Sequence, residues 1–79
     1  MSAKFHEQMA RVLFLKSVDE LNDQTPMTRD SGNLDSMGEA EIVFLVDDHL
    51  QVEFSFDDFK RVSTYGEFKN LLLAKGAKI

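Results

Sequence analysis

The chain contains no cysteine and no tryptophan, and only one proline among its 79 residues. Without cysteine, neither a disulfide framework nor a thiolate metal site can hold the fold together. No apolar run approaches the roughly 18 residues of a membrane-spanning helix, and the first residues lack the pattern of a signal peptide. We therefore expect a cytoplasmic protein without stable membrane insertion.

Basic residues are missing from the centre of the chain. The segment from Asp35 to Asp58 has eight acidic residues and no Lys or Arg, whereas from Lys60 onward five basic residues face one acidic residue. An acidic segment repels nucleic acid and attracts basic partners. Binding to DNA or RNA is therefore not expected, and docking to basic proteins is.

Size and composition fit a single small domain. Hydrophobic residues make up 43% of the chain, too much for a disordered protein of this modest charge. A chain of this length buries only about 60% of its unfolded surface, so its core must be small. We expect one all-α domain over residues 1–79, present as a monomer.

Helical spacing of apolar residues predicts a first helix over residues 3–16, with Phe5, Met9, Val12 and Leu13 on its buried face. Residues 17–33 have the composition of a loop, with one helical turn at the Ser17-x-x-Glu20 pattern. A loop of this length in a small domain needs apolar residues to pin it. The candidates are Val18, Leu21, Met27 and Leu34.

A second helix is predicted from Ser36 to Leu50, and a helical wheel divides it into two faces. The expected core face consists of Ile42, Val43, Leu45, Val46 and Leu50. The opposite face holds Met37, Ala40, Glu41, Phe44, Asp47 and Asp48. Large apolar side chains set among acids on an exposed face are typical of a docking surface.

The rest of the chain predicts a short helix and a last longer one. Ser55-x-x-Asp58 opens the short helix "FDDFKR". Thr64-x-x-Glu67 resembles a capping box for "YGEFKNLLLAK", which Gly76 would end. The core residues of this last helix are expected to be Phe68, Leu71 and Leu72.

Ser36 has two interpretations that the pattern alone leaves open. Ser36-x-x-Glu39 is a capping box, so the hydroxyl could simply cap the second helix. Alternatively, it could be the attachment point of a phosphate-linked group, because a helix N-terminus stabilises added negative charge. A role as a catalytic nucleophile is disfavoured, since His49 would lie about 20 Å away along the helix.

The chain shows no sign of a metal site. Its two histidines, His6 and His49, do not have the spacing of zinc ligands, and the acids do not match an EF-hand loop. We expect both histidines to lie at the surface or to pack between helices.

The stretch "LDSMGEAEIVFLVDDHLQVEF" resembles the signature of acyl carrier proteins, in which an Asp-Ser-Leu or Asp-Ser-Met triplet opens the second helix of a four-helix bundle. Farther on, "VSTYGEFKNLL" is similar to the segment that leads into the last helix of that family. The resemblance covers about residues 32 to 72. It implies three longer helices, a short third helix and a long loop between the first two.

The resemblance also implies a function. Ser36 would carry 4′-phosphopantetheine, transferred from coenzyme A by a separate phosphopantetheinyl transferase, and its thiol would hold acyl or aminoacyl groups as thioesters. Asp35 would help to present Ser36. The partner-binding residues would be Met37, Glu41, Phe44, Asp47 and Asp48, and the partners would be the transferase, a loading ligase or transferase, and downstream synthases.

Two positions depart from the pattern of the fatty-acid carriers. Gly38 and the Gly-x-Leu-Asp-Ser run before it resemble D-alanyl carrier proteins and some specialised-pathway carriers, and Ser55 replaces a proline that is often found there. We expect a carrier, not an enzyme, in fatty acid, polyketide or related biosynthesis. The alternative is a helical protein-interaction module with no prosthetic group, which binds a basic partner through its acidic face.

Overall fold

The fold was analysed in a computed structural model that describes residues 3–78. Its α-helices are α1 (Ala3–Val12), α2 (Ser36–Leu50) and α3 (Tyr65–Ala74). Two 3₁₀ helices, Val18–Glu20 and Phe56–Arg61, lie between them. Within residues 3–78 the only β-type pairing is an isolated bridge, so the predicted all-α class is confirmed.

The first helix is shorter than the predicted span of residues 3–16. It ends at Val12, and Phe14 adopts a left-handed conformation with φ 60°. The amide of Leu15 donates to the carbonyl of Ala10 over 2.9 Å, and that of Phe14 donates to the carbonyl of Arg11 over 3.1 Å. These two bonds form a Schellman motif, which stops the helix without a glycine or a proline.

The long loop is held by backbone hydrogen bonds to the start of α3. The amide of Met27 donates to the carbonyl of Ser63 over 2.9 Å, and the amide of Tyr65 donates to the carbonyl of Thr25 over 2.8 Å. Met27 and Leu34 are buried as predicted and Leu21 is half-buried, but Val18 is exposed. Val18 is therefore not a pin, because the short 3₁₀ turn that contains it lies at the surface.

α2 has the predicted bounds and the predicted faces. Ile42, Leu45 and Val46 are buried, whereas Val43 and Leu50 are half-buried at the margins of the core. α2 packs against α1 on one side and against the second 3₁₀ helix on the other. This arrangement leaves the arc from Met37 to Asp48 facing outward.

The short helix after α2 lies where the sequence predicted it. The Asp58 carboxylate accepts a hydrogen bond from the Ser55 amide over 2.9 Å, between the two residues of the Ser55-x-x-Asp58 pattern. Asp58 is buried and also contacts Lys75 beyond the end of α3 over 2.9 Å. This ion pair joins the second 3₁₀ helix to the C-terminal end of the last helix.

Helix α3 begins and ends near the predicted residues. The Thr64 hydroxyl accepts from the Glu67 amide over 3.3 Å, while the Glu67 carboxylate accepts from the Ser63 amide instead of the Thr64 amide. Gly76 has φ 94° and its amide donates to the carbonyl of Leu73, as expected for the residue that ends a helix.

An aromatic cluster fills the centre of the molecule. Phe54 packs edge-on against Phe59 and Phe68, with ring centroids 4.9 Å and 5.1 Å apart. Tyr65 stacks on Phe68 at 5.8 Å. Rings at such distances and angles add to the stabilisation that burial of their surface provides.

Candidate modification site and docking face

Of the two interpretations of Ser36, the capping role is not the one that the structure shows. The residue that caps α2 is Asp35, whose Oδ1 accepts a hydrogen bond from the Gly38 amide over 2.7 Å. Ser36 is the first residue inside the helix and is exposed, and within residues 3–78 its hydroxyl has no hydrogen-bond partner. The hydroxyl is thus available at the surface, in the first turn of a 15-residue helix.

Glu39 does not complete a capping box with Ser36 either. Its carboxylate accepts two hydrogen bonds from Arg29, from Nη2 at 2.7 Å and from Nε at 3.1 Å. Glu39 is 7% exposed, so it is a buried acid with a paired charge. The hydrogen bond and charge of Glu39, with a smaller effect of Asp35, raise the pKa of the Arg29 guanidinium above its ordinary value.

The position of Arg29 brings a cation to the start of an acidic helix. The negative charge of Asp35, the residue before Ser36, makes a small contribution to the raised pKa of Arg29. The N-terminus of α2 also carries the positive end of the helix dipole. The charged groups at the start of α2 are therefore the Arg29–Glu39 ion pair and the carboxylate of Asp35.

The predicted docking residues share one exposed face of α2, which we call the docking face: Met37, Glu41, Phe44, Asp47 and Asp48. The exposed fractions are 80% for Met37 and 65% for Phe44. The docking face thus combines two solvent-exposed apolar side chains, Met37 and Phe44, with three carboxylates. It offers both an apolar contact area and a negative electrostatic field.

Two exposed aromatic residues near this face were missed by the sequence analysis. Phe56 of the second 3₁₀ helix is exposed and borders, with Phe44, an apolar groove of about 460 Å³ beside α2. Phe14 is exposed at the end of α1, where a smaller groove of about 310 Å³ separates it from Met37. The signal for Phe14 was the run Val12 to Leu15, since one helix face cannot bury four consecutive apolar residues.

The two histidines pack between helices. His49 Nε2 lies 3.0 Å from Oε1 of Gln8, and its ring meets Phe5 edge-on at 5.4 Å. His6 packs against the ring of Tyr65. α2 runs without interruption from Ser36 to His49, so these residues lie about 20 Å apart. Neither histidine is thereby placed as a base for the Ser36 hydroxyl.

Residues 3–78 contain no group of three or more His, Asp or Glu side chains arranged to hold a metal ion. None of the helices in this part of the chain combines the length and the apolar character that a membrane crossing requires. In comparisons with known proteins, no family model matched the chain, and neither a curated protein nor a solved structure proved similar to it.

Proposed function

We propose that the chain is an acyl carrier protein of the four-helix type, modified on Ser36 with 4′-phosphopantetheine. The proposal is carried by one observation at the start of α2: Asp35 caps the helix, and the Ser36 hydroxyl is exposed and has no hydrogen-bond partner among residues 3–78. A serine needed only as a cap would have been engaged with the backbone. Together with the Asp35-Ser36-Met37 triplet, this favours a residue kept for attachment.

The residues around Ser36 fit such a group. The added phosphodiester would lie at the positive end of the helix dipole, in the first turn whose Glu39 is paired with Arg29. When bound, the prosthetic group supplies a thiol on a flexible arm, which holds acyl or aminoacyl groups as thioesters. The chain itself contributes the nucleophilic oxygen, the N-terminal end of the α2 dipole and the surface to which enzymes dock.

The attachment requires a separate enzyme. Ser36 Oγ forms a new bond to the phosphorus that bears pantetheine, the pyrophosphate bond of coenzyme A breaks, and adenosine 3′,5′-bisphosphate leaves. The hydroxyl proton passes to a base of the transferase, because the chain places neither histidine at Ser36. The proposed protein is accordingly a carrier and not an enzyme.

The docking face would bring the partner enzymes to the carrier. Its three carboxylates attract basic surfaces, while Met37 and Phe44 give the apolar contact that selects among them. Such docking should weaken as salt screens the charges. The transferase, a loading ligase or transferase, and downstream synthases would use this face in turn.

A second candidate is an interaction module without a prosthetic group. The exposed Met37 and Phe44 among acids favour it equally, since a docking face requires no modification of Ser36. The two candidates differ in one testable property, the reactivity of the Ser36 hydroxyl.

The test is the intact mass of the protein after incubation with coenzyme A, Mg²⁺ and broad-specificity phosphopantetheinyl transferases. We expect the gain of one phosphopantetheine by the unaltered protein and by Ser17→Ala, and none by Ser36→Ala. Ser17 is a matched control, because it too is an exposed serine before a helical turn and makes no side-chain cap. No gain by a folded protein with several transferases would reject the carrier and leave the interaction module.

A further inference from the structure

The groove between Phe14 and Met37 adjoins the proposed attachment residue. We call it the Phe14 groove; it is lined by Arg11, Val12 and Phe14 at the end of α1 and by Asp35, Met37 and Gly38 at the start of α2. Ser36 lies in the chain between two of these residues, Asp35 and Met37. Any protein whose active site holds the Ser36 hydroxyl therefore comes to the edge of this groove.

Phe14 is an unusual residue at its position. It occupies the left-handed turn that ends α1, where glycine is favoured and a bulky side chain has a steric cost. It is also 65% exposed, so the cost is not offset by burial in the core. Neither the backbone nor the packing explains an aromatic ring there, and such unexplained conformations concentrate at functional surfaces.

Gly38 allows the two sides of the groove to approach each other. A Cβ atom at this position would lie 3.3 Å from Cγ1 of Val12 and 3.2 Å from Oδ1 of Asp35, closer than most such contacts. A side chain at this position would require Val12 and Asp35 to shift by a few tenths of an ångström. Glycine thus keeps Phe14 and Met37 on opposite walls of one narrow groove.

We infer that the Phe14 groove is part of the surface by which the phosphopantetheinyl transferase recognises this protein. The inference rests on the proposed function and extends the docking face, whose Met37 and Glu41 also line the groove, to Phe14 on the α1 side of Ser36. The transferase must reach the serine oxygen itself, so it has to cover the surface on both sides of Ser36. Enzymes that act on the thiol at the far end of the arm do not need to reach the serine oxygen, so they do not need to cover both sides of Ser36.

The chemistry of the groove indicates what the transferase presents to it. Phe14, Met37 and Val12 form apolar walls, and the carboxylates of Asp35 and Glu41 at the rim outnumber the single cation of Arg11. This surface is complementary to an apolar side chain that is flanked by a basic residue. Apolar anchors surrounded by a polar rim contribute most of the affinity in protein interfaces.

The test uses a variant that should not harm the fold. Phe14→Gly places glycine in the left-handed position, so we expect a thermal stability equal to or above that of the unaltered chain. Phe14→Asn, which also tolerates this conformation, is the second variant. Leu73→Ala is the control, because Leu73 is an exposed apolar residue on α3, distant in sequence from Ser36.

The measurement is the steady-state rate of phosphopantetheine transfer from coenzyme A to each protein. We expect both Phe14 variants to lose about tenfold in kcat/KM, mainly through a higher KM, as for the loss of one interface anchor. Leu73→Ala should keep the rate. Once modified, Phe14→Gly should be loaded by an enzyme that acts on the thiol at an undiminished rate.

The outcomes separate this inference from the function on which it rests. If the unaltered protein is modified and the folded Phe14 variants are modified equally fast, the groove is not a transferase contact and the carrier function stands. If the unaltered protein is not modified by any transferase, the proposed function fails and this inference fails with it.

Discussion

The guanidinium of Arg29 donates two hydrogen bonds, of 2.7 Å and 3.1 Å, to the buried carboxylate of Glu39. Arg29 lies in the long loop and is the only basic residue between 17 and 33, while Glu39 lies in the first turn of α2. The pair therefore ties the loop to the helix that begins at the proposed attachment residue. Bidentate pairs of this kind fix geometry as well as charge.

The first prediction concerns this pair. Arg29→Met should lower the thermal stability, because it leaves the Glu39 carboxylate buried without its partner. Adding Glu39→Gln should recover part of the loss, since the remaining side chain is then neutral. Thermal unfolding of the two single variants and the double variant measures the effect. A double variant less stable than Arg29→Met alone would show that the charge of Glu39 is satisfied without Arg29.

Much of the fold was predictable because local signals agreed. The bounds of α2 were predicted correctly, since apolar spacing and residues suited to capping all point to the same span. The end of α1 was not, because the run from Val12 to Leu15 continues the apolar pattern and contains neither glycine nor proline. The helix ends because Phe14 adopts a left-handed conformation. Phenylalanine rarely adopts this conformation, so its presence in the sequence does not predict a helix end.

At the candidate site, the sequence offers two adjacent residues, Asp35 and Ser36, as the cap of α2. Asp35 and Ser36 are both good capping residues, and Glu39 lies at the right spacing to complete a box with Ser36. In the structure the Asp35 carbonyl accepts a hydrogen bond from the Glu39 amide over 2.9 Å, which places Ser36 inside the helix. Arg29, ten residues from Glu39 along the chain, binds the Glu39 carboxylate. An ion pair between a loop residue and a helix residue produces no repeating pattern in the sequence. The sequence alone therefore could not predict it.

The second prediction separates the docking face from the core. Phe44 is 65% exposed and Phe68 is fully buried, so Phe44→Ala should change the free energy of unfolding by less than about 0.5 kcal/mol. Phe68→Ala should lower it by about 3–5 kcal/mol. Urea unfolding gives both values. A core-sized loss for Phe44→Ala would mean that its ring is not on the docking face.

Phe44→Ala should also weaken partner docking, which is the third prediction. Loss of this apolar anchor should reduce kcat/KM for phosphopantetheine transfer by about tenfold. Added salt should slow transfer to the unaltered protein as well, because it screens the carboxylates of the docking face. Rates that depend on neither Phe44 nor salt would exclude this face as the docking surface. Leu73→Ala, an exposed apolar truncation elsewhere, serves as the control.

The fourth prediction concerns acid stability and Asp58. The hydrogen bond from the Ser55 amide lowers the pKa of this carboxyl, and Lys75 adds to the effect while burial opposes it. The folded state thus releases the proton more readily than the unfolded state. The resulting stabilisation is present above the ordinary value of 3.8 and is lost as the pH falls through the lower folded value.

Asp58→Asn should remove this stabilisation. At neutral pH we expect it to be less stable than the unaltered chain by about 1 kcal/mol, the size of a lost cap contact. The difference should shrink as the pH falls below 3.8. Asp57→Asn is the matched control, since that neighbouring acid is exposed and its pair with Lys60 at 3.7 Å lies in water. Denaturant unfolding across acidic pH checks both, and a gap that stays constant with pH would contradict the role of Asp58.

The last prediction uses the only tyrosine of the chain. Burial raises the pKa of the Tyr65 phenol above its ordinary value of 10.0, and the nearby charge of Asp23 raises it further. Above that value the unfolded chain loses the phenol proton while the folded chain retains it, so stability should fall as the pH rises. Tyrosinate absorbance should therefore appear together with unfolding, detected by circular dichroism, and not before it. Tyr65→Phe keeps the ring in the core and should lose less stability at alkaline pH. Tyrosinate absorbance from a folded protein near the ordinary value would show that the phenol is open to solvent.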